Sequence, residues 1–341
     1  HGCNIPEQVR GSLPDFSSTG TIEQIGFHLN FFSGGIPEMF FRSKSRLSIL
    51  ELGNLRLTGH VPELLHDLAS LVHLSIPYNR LTGTLPEHGL CGMTLVRGFS
   101  VAYNHFAGAL PPDGFSCMSV VTDLLLLAID FTGTIPSLGL AGMTSLVGLY
   151  MDALHDVTGT LPAMLARLPH LEMVILGHMP KVEGTIPAGI GAAQSSLRSF
   201  SFANLALEGV VPSSLTRMSD SHVVWDFGVG VVGALPGCAG TFDSLNIHGN
   251  SLQGRLPELQ LADYSMVFGY SNMFSCRLPW CSGRGTRHTV ILLGNRIAEP
   301  RTFPTFPPWI HKSEQGDFFC TTNRHGRRLL TMLVLGTFSY L

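Results

Sequence analysis

The chain has 341 residues, of which 45% are hydrophobic and only 13% are charged. This balance provides apolar side chains for a large core and excludes a disordered chain, whose composition would be the reverse. Residues 1–281 carry 13 Lys and Arg against 21 Asp and Glu, whereas residues 282–341 carry 8 against 3. An acidic body followed by a short basic tail is unsuited to nucleic acid, and we expect no nucleic-acid partner.

A tetrapeptide, Gly-x-(Leu/Ile/Val)-Pro, recurs along the chain at intervals of 21 to 26 residues. Its eleven copies begin at Gly11, Gly34, Gly59, Gly83, Gly108, Gly133, Gly159, Gly184, Gly209, Gly233 and Gly254. Near-constant spacing of this kind is the signature of a repeat architecture rather than of independent domains.

A second pattern precedes each tetrapeptide, and it is complete in Leu71-x-x-Leu74-x-Ile76-x-x-Asn79-x-Leu81-x-Gly83. Together the two halves resemble the plant-type leucine-rich repeat, LxxLxLxxNxLxGxIP. The resemblance implies an α/β solenoid, a superhelix with a concave parallel β-sheet and short helical, 3₁₀ or irregular convex segments. We expect the solenoid to cover residues 1–300, as about 12–13 repeats with 11–13 short strands.

Each part of the repeat has a physical reason. Side chains alternate across a strand, so the Leu-x-Leu pair faces the core and the residues between face outward. An Asn at the end of the strand can satisfy buried turn backbone. Apolar residues take that place at Leu55, Ile129, Leu154, Met179 and Leu205, so we expect the Asn ladder to be interrupted. Extra residues in the coils ending at Gly159 and Gly184, and a missing one in the coil ending at Gly233, predict local bulges near residues 152–158, 177–183 and 226–232.

The seven cysteines predict two disulfides. Cys91 and Cys117 follow their repeat glycines by eight and nine residues, which places them on the outer side of adjacent coils within disulfide reach. Cys276 and Cys281 would close a short loop at the end of the regular repeats. Both bridges would indicate an oxidising compartment, whereas free thiols would indicate the cytosol.

No catalytic motif stands out, so we predict a protein that is not an enzyme, with no catalytic residues, no metal and no cofactor. Cys276, Cys281, His288, Cys320 and His325 are zinc-competent, but their spacing fits no tight zinc motif. Thr-Gly-Thr triplets at Thr82, Thr132 and Thr158 could form an ice-binding array. The triplet is already explained by the repeat, and we prefer that interpretation.

The outward positions of the concave strands are the candidate ligand-binding surface, because they are released from the core. Tyr, His and Arg on a rigid surface are typical of binding hot spots. The candidate residues are Glu51, His73, Tyr78, Arg97, Tyr103, Asp123, Tyr150, Asp152, Glu172, His178, Arg198, Asn246, His248 and Tyr270.

Two functions are compatible with this surface. The first is a recognition module that binds a protein, peptide or glycan, as the ectodomain of a receptor-like or adhesion protein or as a secreted inhibitor. The second is a structural subunit held in a larger assembly. The resemblance favours an extracellular or cell-surface location, with the cytoplasm as the alternative; the oligomeric state is left open.

The last segment, residues 301–341, leaves the repeat pattern. Four prolines between Pro300 and Pro308 are incompatible with a central strand, and we expect an extended run across the open end of the solenoid. The basic Arg-His-Gly-Arg-Arg and the apolar last 13 residues then either complete this cap or begin a membrane anchor.

Overall fold

The computed structural model describes residues 10–14, 16, 20–27, 30–111, 115–191, 197–217, 223–228, 230–234, 241–247, 250–254, 260–268, 273–274, 289–291, 310–312 and 318–321. Eleven parallel pairings join twelve successive strands into the concave sheet. These strands are β2 (Gln24–Gly26), β4 (Ile49–Glu51), β6 (His73–Ser75), β8 (Gly98–Ser100), β10 (Asp123–Leu127), β12 (Gly148–Asp152), β14 (Met173–Thr185), β15 (Ser199–Glu208), β16 (Val223–Gly228), β18 (Thr241–Asn246), β20 (Gln260–Phe268) and β22 (Thr289–Ile291).

The Leu-x-Leu segments form the strand cores as the repeat predicts. Leu50 pairs in register with Leu74, and both side chains are fully buried. Leu124 occupies the same row and is buried too. One coil cannot cover its own apolar edge, so this continuous row stabilises the stack rather than any single repeat.

A second series of short parallel strands lies on the flank of the solenoid, and we call it the lateral sheet. Its members are β1 (Arg10–Gly11), β3 (Phe31–Gly34), β5 (Arg56–Gly59), β7 (Arg80–Gly83), β9 (His105–Ala109), β11 (Asp130–Thr134), β13 (Asp156–Thr160), β17 (Val232–Gly233), β19 (Ser251–Gly254) and β21 (Met273–Phe274), with the second halves of β14 and β15. The repeat glycine stands in left-handed backbone, with φ between 75° and 91° from Gly34 to Gly233. Glycine tolerates this conformation without steric cost, which explains its recurrence.

The lateral strands are staggered relative to the repeat. Thr132 pairs with Asp156, and Thr158 pairs with Lys181, rather than with the equivalent threonines of the next coil. Thr134 pairs with Thr158, so threonine pairs alternate with pairs that contain a charged residue on this flank.

The outer side carries short helical segments, each preceded by the repeat proline in extended backbone where the cap is described. Proline lacks an N–H, and the first turn of a helix needs none. The segments are the 3₁₀ turns Glu38–Phe40, Glu63–Asp67, Ala163–Arg167 and Ser213–Arg217 and the helices α1 (Glu87–Gly92) and α2 (Ser137–Gly142).

The Asn ladder has the predicted interruption. Buried Asn79 accepts a hydrogen bond from the N–H of Leu57 and donates to the carbonyl of Leu52, at 3.1 and 2.7 Å. Asn104 repeats the arrangement one coil later. Apolar Ile129 and Leu154 are buried in the equivalent slots of the middle coils.

The predicted bulge near residues 177–183 is present. The pairing of β14 with β15 shifts register between Met179 and Glu183. In the preceding coil, the N–H of Val157 bonds the carbonyl of Leu154 at 3.2 Å, a local turn that accommodates the extra residue.

Cys91 of α1 is bonded to Cys117 of the next coil, which confirms the predicted disulfide. Cys276 and Cys281 lie outside the described residues. At the C-terminal end, β24 (Phe318–Thr321) pairs antiparallel with both β22 and β23 (Ile310–Lys312). Two antiparallel strands thus follow the last parallel one. The proline-rich segment and the last 20 residues are not among those described.

Candidate functional site

Where the structure describes them, the predicted binding residues lie along one face of the concave sheet. Glu51, His73, Asp123, Tyr150 and Asp152 stand at half-buried outward positions of β4, β6, β10 and β12, each next to a buried residue. Three others, Arg97, Glu172 and Arg198, directly precede β8, β14 and β15. The structure therefore brings eight of the predicted side chains to one surface.

Two tyrosines lie at the edge of this face. Tyr78 and Tyr103 have left-handed backbone, with φ of 55° and 54°, and their rings stack with centroids 4.2 Å apart. Burial raises the pKa of Tyr103, and its hydrogen bond to Tyr78, the charge of Tyr78 and the charge of Asp152 raise it further. Tyr78 and Asp152 therefore both lie close enough to Tyr103 for their charges to affect its pKa.

Contacts of His and Arg side chains with carboxylates link neighbouring coils across the same face. His178 and Asp152 approach to 2.8 Å, His73 and Glu51 to 3.7 Å. Arg198 lies 4.0 Å from Glu172. Each pair joins residues of successive coils and is partly exposed, so its contribution to stability is small. Such pairs orient side chains more than they stabilise the fold.

An apolar strip crosses the centre of the face. Leu125, Tyr150 and Ile175 pair in register on three adjacent strands, with half-buried side chains that point away from the core. Leu127 and Met173 extend it, and the Tyr150 hydroxyl donates to the Met173 sulfur at 3.1 Å. The side of a strand that faces solvent usually carries polar residues. The apolar strip is therefore a surface suited to contact with another molecule.

Comparison with known proteins agrees with this fold. Among solved structures, the ectodomain of the membrane receptor kinase GASSHO1/SCHENGEN3 from Arabidopsis thaliana has a TM-score of 0.70 at 22% identity, over 89% of this chain and 38% of that one. The Arabidopsis receptor kinase HAESA has a TM-score of 0.66 at 22% identity, over 86% of this chain and 56% of that one. This chain adopts the plant-type leucine-rich-repeat fold.

The receptor-like kinase TMK4 of Arabidopsis thaliana is a sequence relative, 39% identical to this chain over 79 residues. That match covers 23% of this chain and 8% of the kinase. The leucine-rich-repeat chain thus spans about half or less of the length of these receptors. No family model matches it.

Sequence analysis predicted Tyr150 of the apolar strip but missed its neighbours Leu125 and Ile175. Leu124-Leu125-Leu126-Leu127 reads as uniform core, although the repeat frame assigns only alternate leucines inward. Assigning Leu125 and Leu127 to the outward positions of the repeat, instead of treating all four leucines as buried, would have identified them as surface residues.

Some predicted residues remain without a described environment. Asn246 lies on β18 but its side chain is not described, and His248, Tyr270, Cys276 and Cys281 fall outside the described residues. Within the described part, no group of three or more His, Cys, Asp or Glu has a metal-binding arrangement. The same part contains no helix long and apolar enough to cross a membrane.

Proposed function

We propose that the chain is a non-catalytic recognition module that binds a peptide or protein ligand through its concave face. The observation that carries the proposal is the in-register strip of Leu125, Tyr150 and Ile175 on the outward side of the sheet. Apolar and aromatic side chains held there by a rigid backbone bury area on binding at little entropic cost.

The structural neighbours support this reading. HAESA was solved with the peptide hormone IDA and the co-receptor SERK1, and GASSHO1/SCHENGEN3 with CASPARIAN STRIP INTEGRITY FACTOR 2. By analogy we place the chain outside the cell, in the ectodomain of a receptor-like or adhesion protein or in a secreted inhibitor. A permanent structural subunit has no comparable support. We also propose the division into a solenoid at 1–300 and a cap or anchor at 301–341.

The test is selection of ligands from a phage-displayed library of short random peptides on the full chain. A triple variant, Leu125→Ser with Tyr150→Ala and Ile175→Ser, removes the strip. Truncation of one aromatic hot spot costs about 2 kcal/mol or more, which is roughly thirtyfold in affinity. We expect selected peptides to lose at least that much on the triple variant.

Leu138→Ser is the matched control, since Leu138 is 80% exposed on the outer helix α2. It should leave peptide affinity unchanged, and circular dichroism should show all variants folded. Selection that enriches no peptide, or enriched peptides that bind the triple variant as they bind the parent chain, would refute the proposal.

A further inference from the structure

Asp123 lies between two glycines in the concave sheet. Its register partner on β8 is Gly98 and its partner on β12 is Gly148, so neither of the two paired residues carries a side chain. We call the site formed by Gly98, Asp123 and Gly148 the Asp123 notch.

Two rings lie over the glycines of the notch. The imidazole of His73 occupies the space where a Cβ on Gly98 would lie. Over Gly148, Tyr150 Cε2 and Asp123 Oδ1 come within 2.6 and 2.8 Å of the corresponding Cβ position. The carboxylate and the edge of the tyrosine ring therefore converge on the same point above the sheet.

The Asp123 carboxylate is only partly satisfied. Oδ2 accepts a hydrogen bond from the Thr122 hydroxyl at 2.8 Å. Among the described residues no Lys, Arg or His forms an ion pair with Asp123. Its charge raises the pKa of Tyr150, after the larger effect of burial on that residue. Among the described residues, the Asp123 carboxylate thus lies beside an aromatic ring and is not engaged in an ion pair.

We propose that the notch receives an arginine or lysine side chain of the peptide ligand. The cationic head donates charge-assisted hydrogen bonds to Asp123, with the Tyr150 ring beside it. The alkyl stem packs along the neighbouring strip at Leu125. A hard metal ion is a poor occupant, because one carboxylate supplies far fewer than the roughly six oxygen ligands it needs.

This inference rests on the proposed peptide-binding function, and its test starts from the same selected peptides. We expect those peptides to be enriched in one Arg or Lys. Replacing that residue by norleucine should weaken binding to the parent chain about tenfold, a typical value for a partly buried charge pair. On the Asp123→Asn variant the same replacement should have no effect, since the pair is already broken.

Asp130→Asn is the matched control, because Asp130 is an exposed aspartate of the lateral sheet. It should bind peptides like the parent chain. Gly148→Ala is an independent steric probe, since its Cβ would displace Tyr150 and Asp123, and we expect it to weaken the same peptides. Gly230→Ala is its control, because the Leu207 carbonyl oxygen, at 3.6 Å, is the one atom of the described residues within 4 Å of that Cβ.

The outcomes separate the two proposals. Peptides that lose affinity on the triple variant, yet show no basic residue and bind Asp123→Asn normally, would overturn the notch and leave peptide binding intact. Peptides indifferent to the triple variant would overturn both.

Discussion

The rings of Tyr78 and Tyr103 lie 7° from parallel with centroids 4.2 Å apart, although 25 residues separate them in the chain. Both residues adopt left-handed backbone at equivalent positions of successive coils. The stacking of the coils, rather than any local preference of tyrosine, therefore brings the two phenols together.

This pair predicts a shift in tyrosine titration. Tyr78→Phe removes the hydrogen bond and the charge of Tyr78, so the pKa of Tyr103 should fall towards its ordinary value while burial and Asp152 keep it somewhat raised. NMR titration of ring-labelled tyrosine measures this.

The raised pKa of Tyr103 favours the neutral phenol in the folded chain. Its contribution to stability is therefore complete below the ordinary tyrosine pKa and is lost as pH rises through the higher folded value. An unchanged or higher Tyr103 pKa in Tyr78→Phe would contradict the contact.

Successive coils each hold one residue in left-handed backbone, and substitution of that residue by glycine should not destabilise the chain. Ala153 has φ of 54°, a conformation that costs an L-residue about 1–2 kcal/mol and glycine almost nothing. Because glycine in turn loses about 0.5–1 kcal/mol of entropy relative to alanine, Ala153→Gly should be neutral or mildly stabilising in urea titration.

Ala166, in the 3₁₀ turn Ala163–Arg167, provides the comparison. Its φ is not positive, so Ala166→Gly should lose about 0.5–1 kcal/mol. Equal losses at the two positions would show that Ala153 does not hold left-handed backbone.

Truncating a leucine of the buried row should leave a cavity and lower the free energy of unfolding substantially. Leu74 is 1% exposed and pairs with Leu50 on one side and Phe99 on the other. Leu74→Ala should destabilise the chain by about 2–5 kcal/mol in denaturant titration. Val72→Ala, at a 36% exposed position, should stay within about 0.5 kcal/mol. A loss below about 1 kcal/mol at Leu74 would mean that the repeat frame is wrong.

The disulfide predicts sensitivity to reductant. Cys91 and Cys117 are 26 residues apart, and a bridge that closes such a loop contributes about 2–4 kcal/mol. Reduction should lower the denaturation midpoint of the parent chain more than that of the double variant Cys91→Ser with Cys117→Ser.

Mass spectrometry of the non-reduced chain should find the bridge between Cys91 and Cys117, and it also tests the predicted bridge between Cys276 and Cys281. Free thiols at Cys91 and Cys117 would indicate a reducing compartment.

The sequence by itself determined the repeat, the buried rows and the disulfide. Because side chains alternate along a strand, the Leu-x-Leu pattern is enough to predict that Leu50 and Leu74 are buried. The near-constant coil length is enough to predict that Cys91 lies beside Cys117. It also determined where the Asn ladder stops, because Ile129 cannot make the bonds of Asn104. These features depend on one period, which is visible in the linear pattern.

Only the tertiary structure decided which outward residues become neighbours. The concave sheet aligns equivalent positions, so Asp123 comes between two glycines, whereas the lateral sheet is staggered and places Thr132 beside Asp156. Lys44 is another case: a residue type expected in water is fully buried, with its ammonium donating to the carbonyl of Phe16 at 2.5 Å. Register and burial between coils depend on how whole strands pack, and one repeat of sequence does not contain that information.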